Sequence, residues 1–294
     1  MADWPPNLPD MTGKVVLVTG ANTGLGLVTA QELARAGARV HMACRNQDKA
    51  RAAMETIRAE VPNADLELLP LDLASLDSLR ASAEAWLAKG EPLHVLVSNA
   101  GLVTRGLTAD GFELTFGVNH IGTAAFTFAL LDRLKESAPS RIVTVASRAH
   151  MRTKGIEFDQ VRTSTRSTTA FPEYSQSKLA NVYFSAELGR RLEGTGVTTY
   201  AVHPGAVATD VWRRVPWGFR HLMKMFMITT EVGTLTQLYC STAPELANET
   251  SNYYAKSKAA APRGRGNDRA HSDALWAKTE EWIGPLEGAP QASA

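Results

Sequence analysis

Short runs of β-branched and aliphatic residues alternate along the chain with longer amphipathic segments. The runs Lys14–Thr19 (KVVLVT), Arg39–Ala43 (RVHMA), Leu66–Leu69 (LELL), His94–Ser98 (HVLVS), Arg141–Ala146 (RIVTVA) and Thr198–Val202 (TTYAV) are apolar almost throughout. That pattern predicts strands buried on both faces. Between them, apolar residues recur at helical spacing near residues 25–36, 46–60, 75–88, 110–136 and 174–193. Strands alternating with helices in this way predict right-handed crossovers and a parallel sheet covered on both faces, a doubly wound α/β domain. After Val202 the regularity loosens. Residues 209–228 carry three Met, two Trp and two Phe among four Lys and Arg, and residues 258–270 are basic and low in complexity. The position and apolar content of 206–228 make it a candidate substrate lid, with ordinary packing of an amphipathic helix as the alternative, and 285–294 reads as a flexible tail.

Composition narrows this picture without redirecting it. With 294 residues, one domain spanning 1–294 is the simplest account. Lys and Arg number 31 against 30 Asp and Glu, a balance that argues against a nucleic-acid partner. Cys44 and Cys240 are no disulfide framework and fit a reducing compartment. The start MADWPPNLPDMTGK lacks the basic end and apolar run of a signal peptide. The longest mostly apolar run, Thr123 to Leu131, ends at Asp132, well short of the ~18 residues of a membrane span. A soluble cytoplasmic protein is expected, with assembly into homo-oligomers left open. No zinc motif is visible, so no metal is expected, and His41, His94 and His120 are taken as structural.

The first strand runs directly into Thr19-Gly20-Ala21-Asn22-Thr23-Gly24-Leu25-Gly26 and then a helix. A glycine-rich turn there lets backbone N–H groups and the helix dipole face a pyrophosphate, an approach that bulkier residues would block. The second strand at Arg39–Ala43 completes the context of a Rossmann-type dinucleotide site; a bare tight turn is the alternative. Gly20, Asn22, Thr23, Gly24, Leu25 and Gly26 are the expected contacts. An NAD site usually carries an acid at the end of strand two. Here Ala43-Cys44-Arg45 stands there, and the first acid is Asp48. A carboxylate would repel a 2′-phosphate and a guanidinium fork would bind it, so Arg45 points to NADP(H). Asp72, followed by Leu73, suits a hydrogen bond from the adenine amino group or a cap on the helix beginning near Ser75.

Tyr174 and Lys178 lie in Glu173-Tyr174-Ser175-Gln176-Ser177-Lys178 at the start of a helix. Four residues advance about 400° around the axis, so the two side chains share a face. A phenol has a pKa of about 10, and acid/base catalysis wants a value near working pH. Lowering it by ~3 units takes about 4 kcal/mol. One cation at ~4 Å, at an effective dielectric of ~20, supplies about that much before desolvation opposes it. Ser147 follows the fifth strand, Asn99-Ala100-Gly101 the fourth, and His203-Pro204-Gly205 the sixth, with Val207 and Thr209 just beyond. All fall at strand carboxyl ends, where doubly wound sheets bind ligands. Residues 148–172, basic and rich in Ser and Thr, predict a solvated loop beside Ser147.

The motifs Thr19–Gly26, Asn99–Gly101, Asn119, Ser147, Tyr174, Lys178 and Pro204-Gly205 together resemble the short-chain dehydrogenase/reductase family over nearly the whole chain. Phe112–Gly122 (FELTFGVNHIG), Ser137–His150 (SAPSRIVTVASRAH) and Tyr174–Val182 (YSQSKLANV) are similar to its retinol dehydrogenase and WW-domain oxidoreductase branch. Ser98 and Ala146 depart from residues common there without removing a catalytic group. The resemblance implies catalytic roles for Asn119, Ser147, Tyr174 and Lys178. Tyr174 would be the general acid or base, and Ser147 would hydrogen-bond the substrate oxygen. Lys178 would bind the nicotinamide ribose and lower the Tyr174 pKa. Asn119 would hold a water in a proton relay, and Val207 and Thr209 would contact the carboxamide. The expected activity is NADP(H)-dependent hydride transfer to or from a hydrophobic, retinal-like aldehyde, ketone or alcohol. A bulky polycyclic ketone is the alternative substrate, and a non-catalytic NADP(H)-sensing regulator the alternative of another class.

Overall fold

Alternation within the first strand decides the layering. β1 (Val15–Thr19) turns Val15 and Leu17 into one core and Val16 and Val18 into another, on the opposite face of the sheet. The computed structural model describes residues 4, 6–205 and 228–285. In chain order the elements are β1, α1 (Gly24–Arg35), β2 (Arg39–Cys44), α2 (Gln47–Glu60), β3 (Leu66–Pro70), α3 (Leu76–Leu87) and β4 (Val95–Ser98). There follow α4 (Leu114–Phe116), α5 (Thr123–Ala129), α6 (Leu131–Glu136), β5 (Ser140–Val145), α7 (Phe171–Arg191) and β6 (Val197–His203). The chain continues with α8 (Thr230–Thr242), β7 (Asn252–Ala255), β8 (Lys258–Ala260) and α9 (Arg269–Ile283). The eight strands form one sheet in the order β3-β2-β1-β4-β5-β6-β7-β8. Every pairing is parallel except β7 with β8. The carboxyl ends of β1 to β6 therefore share one rim, and the order reverses between β1 and β4.

Helix starts are sharpened by side-chain caps where the sequence supplies them. Asn46 accepts from Lys49 N at 2.8 Å, Ser75 from Ser78 N at 3.3 Å, and Asp268 from His271 N at 3.1 Å. The long helix expected at 110–136 is broken instead. A π-helical turn, Gly117–Gly122, separates α4 from α5. Small residues bound this turn because its neighbours leave no room: a Cβ on Gly122 would lie 2.3 Å from the Leu73 carbonyl oxygen. The basic, low-complexity stretch 258–270 contains β8, which is exposed along its length and so shows no burial pattern.

Val207, Thr209, the expected lid apart from Ile228, and residues 286–294 of the expected tail lie outside the described residues. No described helix is long and apolar enough to cross a membrane.

The core beneath α7 is largely aromatic. Phe184 stacks on Trp276 at 5.7 Å between ring centroids and meets Phe128 at 5.5 Å and His120 at 5.8 Å. Truncating a buried Phe leaves a cavity as well as losing transfer energy. Phe184→Ala is therefore expected to cost about 3–5 kcal/mol in urea unfolding; a loss below about 1 kcal/mol would contradict this packing.

Candidate active site

The turn after β1 is folded tightly against the end of β4. Gly20 has φ +66, a conformation that favours glycine, and its N–H donates to the Ala43 carbonyl at 2.8 Å. A Cβ on Gly26 would stand 2.4 Å from the Gly20 carbonyl oxygen and 2.5 Å from Asn99 Nδ2. The Thr19 hydroxyl oxygen accepts the backbone N–H groups of Asn99 and Ala100, each at 3.0 Å. Asn99 Nδ2 donates back to the Thr19 carbonyl at 2.9 Å. These contacts leave a groove of about 920 Å³, within the ~300–1,000 Å³ usual for small-molecule sites. Its walls include Gly20, Asn22, Thr23, Gly24, Leu25, Arg45, Asp72, Leu73, Asn99, Ala100 and Gly101. Gly26 lies outside these walls and allows the close packing, while Pro204 and Gly205 follow β6 on the same rim. The glycine-lined walls fit a dinucleotide, since a Cβ on Gly101 would meet Asn119 Oδ1 at 3.2 Å and Lys178 Nζ at 3.5 Å.

Arg45 is exposed at the groove and shares its wall with Lys49, a second cation that the sequence alone did not single out. The nearby acid Asp48 pairs with Arg51 at 2.9 Å. Asp72 does not cap α3. Ser75 takes that place, and Asp72 Oδ1 accepts from Ala74 N at 3.0 Å. Gln237 on α8 reaches back to Thr29 Oγ1 at 2.9 Å and Asn99 Oδ1 at 3.4 Å. No local motif signals a contact between residues so far apart in the chain.

The four residues expected to act together converge at the end of this groove. Ser147 caps a 3₁₀ turn at Arg148–Arg152. Its Oγ accepts from Ala149 N at 3.2 Å, leaving the hydroxyl proton free to be donated. The Ser147 hydroxyl sits close enough to the Tyr174 phenol to oppose the upward push that burial gives it. Lys178 Nζ lies 5.7 Å from the centre of the Tyr174 ring and donates to the Val145 carbonyl at 2.8 Å. Asn119 sits in the π-helical turn. Its Oδ1 accepts from Leu102 N at 2.8 Å, and its Nδ2 donates to the Leu102 carbonyl and to Ser177 Oγ, each at 3.0 Å. Both amide hydrogens are thus engaged.

Burial sets the charge state of the pair. It pushes the Tyr174 phenol up, and the Ser147 hydroxyl only partly offsets it. This differs from the expectation that Lys178 would lower the phenol. The reason is that drying the phenol outweighs its polar surroundings; Lys178 is buried too, its ammonium brought down to about 8 and hydrogen-bonded to a backbone carbonyl. Tyr174 therefore stands neutral, the proton-donating form.

The histidines have separate roles. His94 Nδ1 accepts from Val15 N at 3.0 Å, and burial lowers its pKa. His120 packs in the core beside Phe116, with its pKa brought down to about 3 by burial. His41 is less isolated than its sequence position implies: its donors and those of Glu67 and Glu91 lie within 4.8 Å of one another. Both carboxylates already pair with Arg39, at 3.0 and 3.3 Å, and Glu67 also with Lys89, which makes a balanced ion network.

Comparison with known proteins matches residues 14–218 to the short chain dehydrogenase family. Retinol dehydrogenase 12 of Mus musculus is 43% identical over 279 residues, 92% of this chain and 87% of that protein. Retinol dehydrogenase 13 of Homo sapiens is 39% identical over 289 residues, 95% and 87% of the respective chains. A solved structure of an uncharacterised protein from Mycobacterium Paratuberculosis superposes with a TM-score of 0.76 at 33% identity, covering 97% of this chain and 98% of that one.

The lowered Lys178 pKa has a stability consequence of fixed sign. Between about 8 and 10.5 the unfolded chain holds a proton that folded Lys178 has released. Raising pH through that window therefore stabilises the wild type relative to Lys178→Met, by roughly 2–3 kcal/mol at most. Urea unfolding of both proteins at pH 7.5 and 10.5 checks this; a difference that does not change with pH would contradict it.

Proposed function

This chain belongs to the short-chain dehydrogenase/reductase family and is an oxidoreductase of its retinol dehydrogenase branch, and from that premise we propose that it reduces or forms an apolar, retinal-like carbonyl using NADP(H). The observation that carries this reading is the gathering of Ser147, Tyr174, Lys178 and Asn119 at one end of a dinucleotide-sized groove. Arg45 and Lys49 at the groove wall, with Asp48 turned to Arg51, support a 2′-phosphate. The names of the relatives support the apolar alcohol or aldehyde class. Cys44 and Cys240, both free and buried, suit the cytoplasmic location we assign.

Bound in the groove, the nicotinamide would supply or accept the hydride. The chain's own residues then manage the oxygen and its proton. Ser147 donates its hydroxyl proton in a hydrogen bond to the carbonyl oxygen and orients it. Tyr174, neutral through burial, gives its proton to that oxygen as the alcohol forms, and takes it back in the reverse direction. Lys178, protonated below about pH 8, places a positive charge beside the phenol and stabilises the phenolate left behind. Asn119 holds the Leu102 backbone and the Ser177 hydroxyl, keeping the groove wall in register with α7.

A panel of apolar aldehydes and ketones should oxidise NADPH in the presence of the enzyme; no turnover with any of them would overturn the proposal. Tyr174→Phe should lower kcat by at least about 100-fold while the NADPH dissociation constant stays within a factor of two or so. Retained turnover would remove Tyr174 from the proton-donor role. Arg45→Asp should weaken NADPH about 10–100-fold and favour NADH. An unchanged coenzyme preference would take Arg45 out of the phosphate site.

A further inference from the structure

Ser147 is held by a residue outside the group just described. Its carbonyl oxygen accepts two hydrogen bonds from His150, one from the backbone N–H at 3.1 Å and one from the ring Nδ1 at 2.6 Å. A carbonyl oxygen only accepts, so Nδ1 carries the proton. Burial holds the imidazole below its ordinary range, against the backbone groups of Ser147 and Arg263, which raise it. The ring is 1% exposed and meets Tyr253 edge-on at 5.3 Å. On the other side of the turn, Arg148 N donates to His203 Nδ1 at 3.3 Å. The backbone around Ser147 is thus pinned by two imidazoles, while its Oγ accepts from Ala149 N and keeps its proton free to be donated. Rotation of this turn would swing the hydroxyl away from the phenol, and a displacement near 1 Å at a reacting group costs on the order of 100-fold in rate.

We propose that His150 is a positioning residue for Ser147, its Nδ1–H fixing the Ser147 carbonyl and through it the direction of the Ser147 hydroxyl. The inference rests on the reading of Ser147 as the group that orients the substrate oxygen.

Two substitutions separate the donor from the ring. His150→Phe keeps the ring against Tyr253 and loses the donor. His150→Asn loses the ring and keeps an N–H near the Nδ1 position. His150→Phe should lower kcat about 10–100-fold with the NADPH dissociation constant unchanged, and His150→Asn should recover most of that loss even at a lower melting temperature. In a Ser147→Ala background, His150→Phe should cause no further loss, as expected of residues acting through one another. If His150→Phe does not fold, His150→Gln, whose amide reaches toward the Nε2 position instead, takes its place with the same expectation. The inference is overturned if the variant lacking the donor keeps wild-type kcat. It is equally overturned if His150→Asn is as impaired as that variant, or if the loss is undiminished in the Ser147→Ala background. Wild-type turnover with a fully active Ser147→Ala would sink the role of Ser147 and this inference with it. A wild-type enzyme that turns over no carbonyl would sink the functional reading as a whole.

Discussion

The Thr19 hydroxyl joins the ends of two strands, β1 and β4, that are distant in the chain but side by side in the sheet. Accepting the N–H groups of Asn99 and Ala100, it locks β1 to β4 where the sheet order reverses. The connections leave in opposite directions there, so a crevice opens that neither fills. Asn99 closes the junction by donating to the Thr19 carbonyl, and Gln237 reaches Asn99 from α8. Every other feature of the site depends on this point. The glycine turn can press onto it only without side chains at Gly20 and Gly26. The parallel sheet then brings Ser147 and α7 to the same rim.

Opposed electrostatic terms meet on that rim. Burial disfavours the charged forms of both Tyr174 and Lys178, raising one pKa and lowering the other. The result is a neutral proton donor beside an amine whose charge is easily lost. Simple Coulomb reasoning for a cation near a phenol gives the opposite direction for Tyr174, because it leaves out the cost of drying the phenol. The hydrogen bond of Lys178 to the Val145 carbonyl ties the amine to the end of β5, next to the turn that carries Ser147. Strand, turn and helix thus share one anchored corner.

The parts of the fold legible from the chain were those with a strict period. Six strands show as runs that are apolar on both faces, and Tyr174 and Lys178 show as neighbours one helical turn apart. β8 was not legible, because an exposed edge strand has no pattern to follow. The π-helical turn was not legible either, and the close approach of Gly122 to Leu73 beside it is a tertiary contact with no local signal. Lys49 and Gln237 belong to the site only through tertiary approach. His150 lies in a stretch whose basic and polar composition reads as a solvated loop, yet it is buried against Tyr253. Local composition does not report which side of a turn faces the sheet.

The measurement closest to the central claim follows the hydride itself. The enzyme is incubated with NADPH deuterated at both C4 positions and an apolar aldehyde, and the product is weighed by mass spectrometry. This account predicts an alcohol carrying one deuterium at its former carbonyl carbon. An alcohol formed without deuterium, or NADPH bound in the groove with the aldehyde returned unchanged, would contradict it.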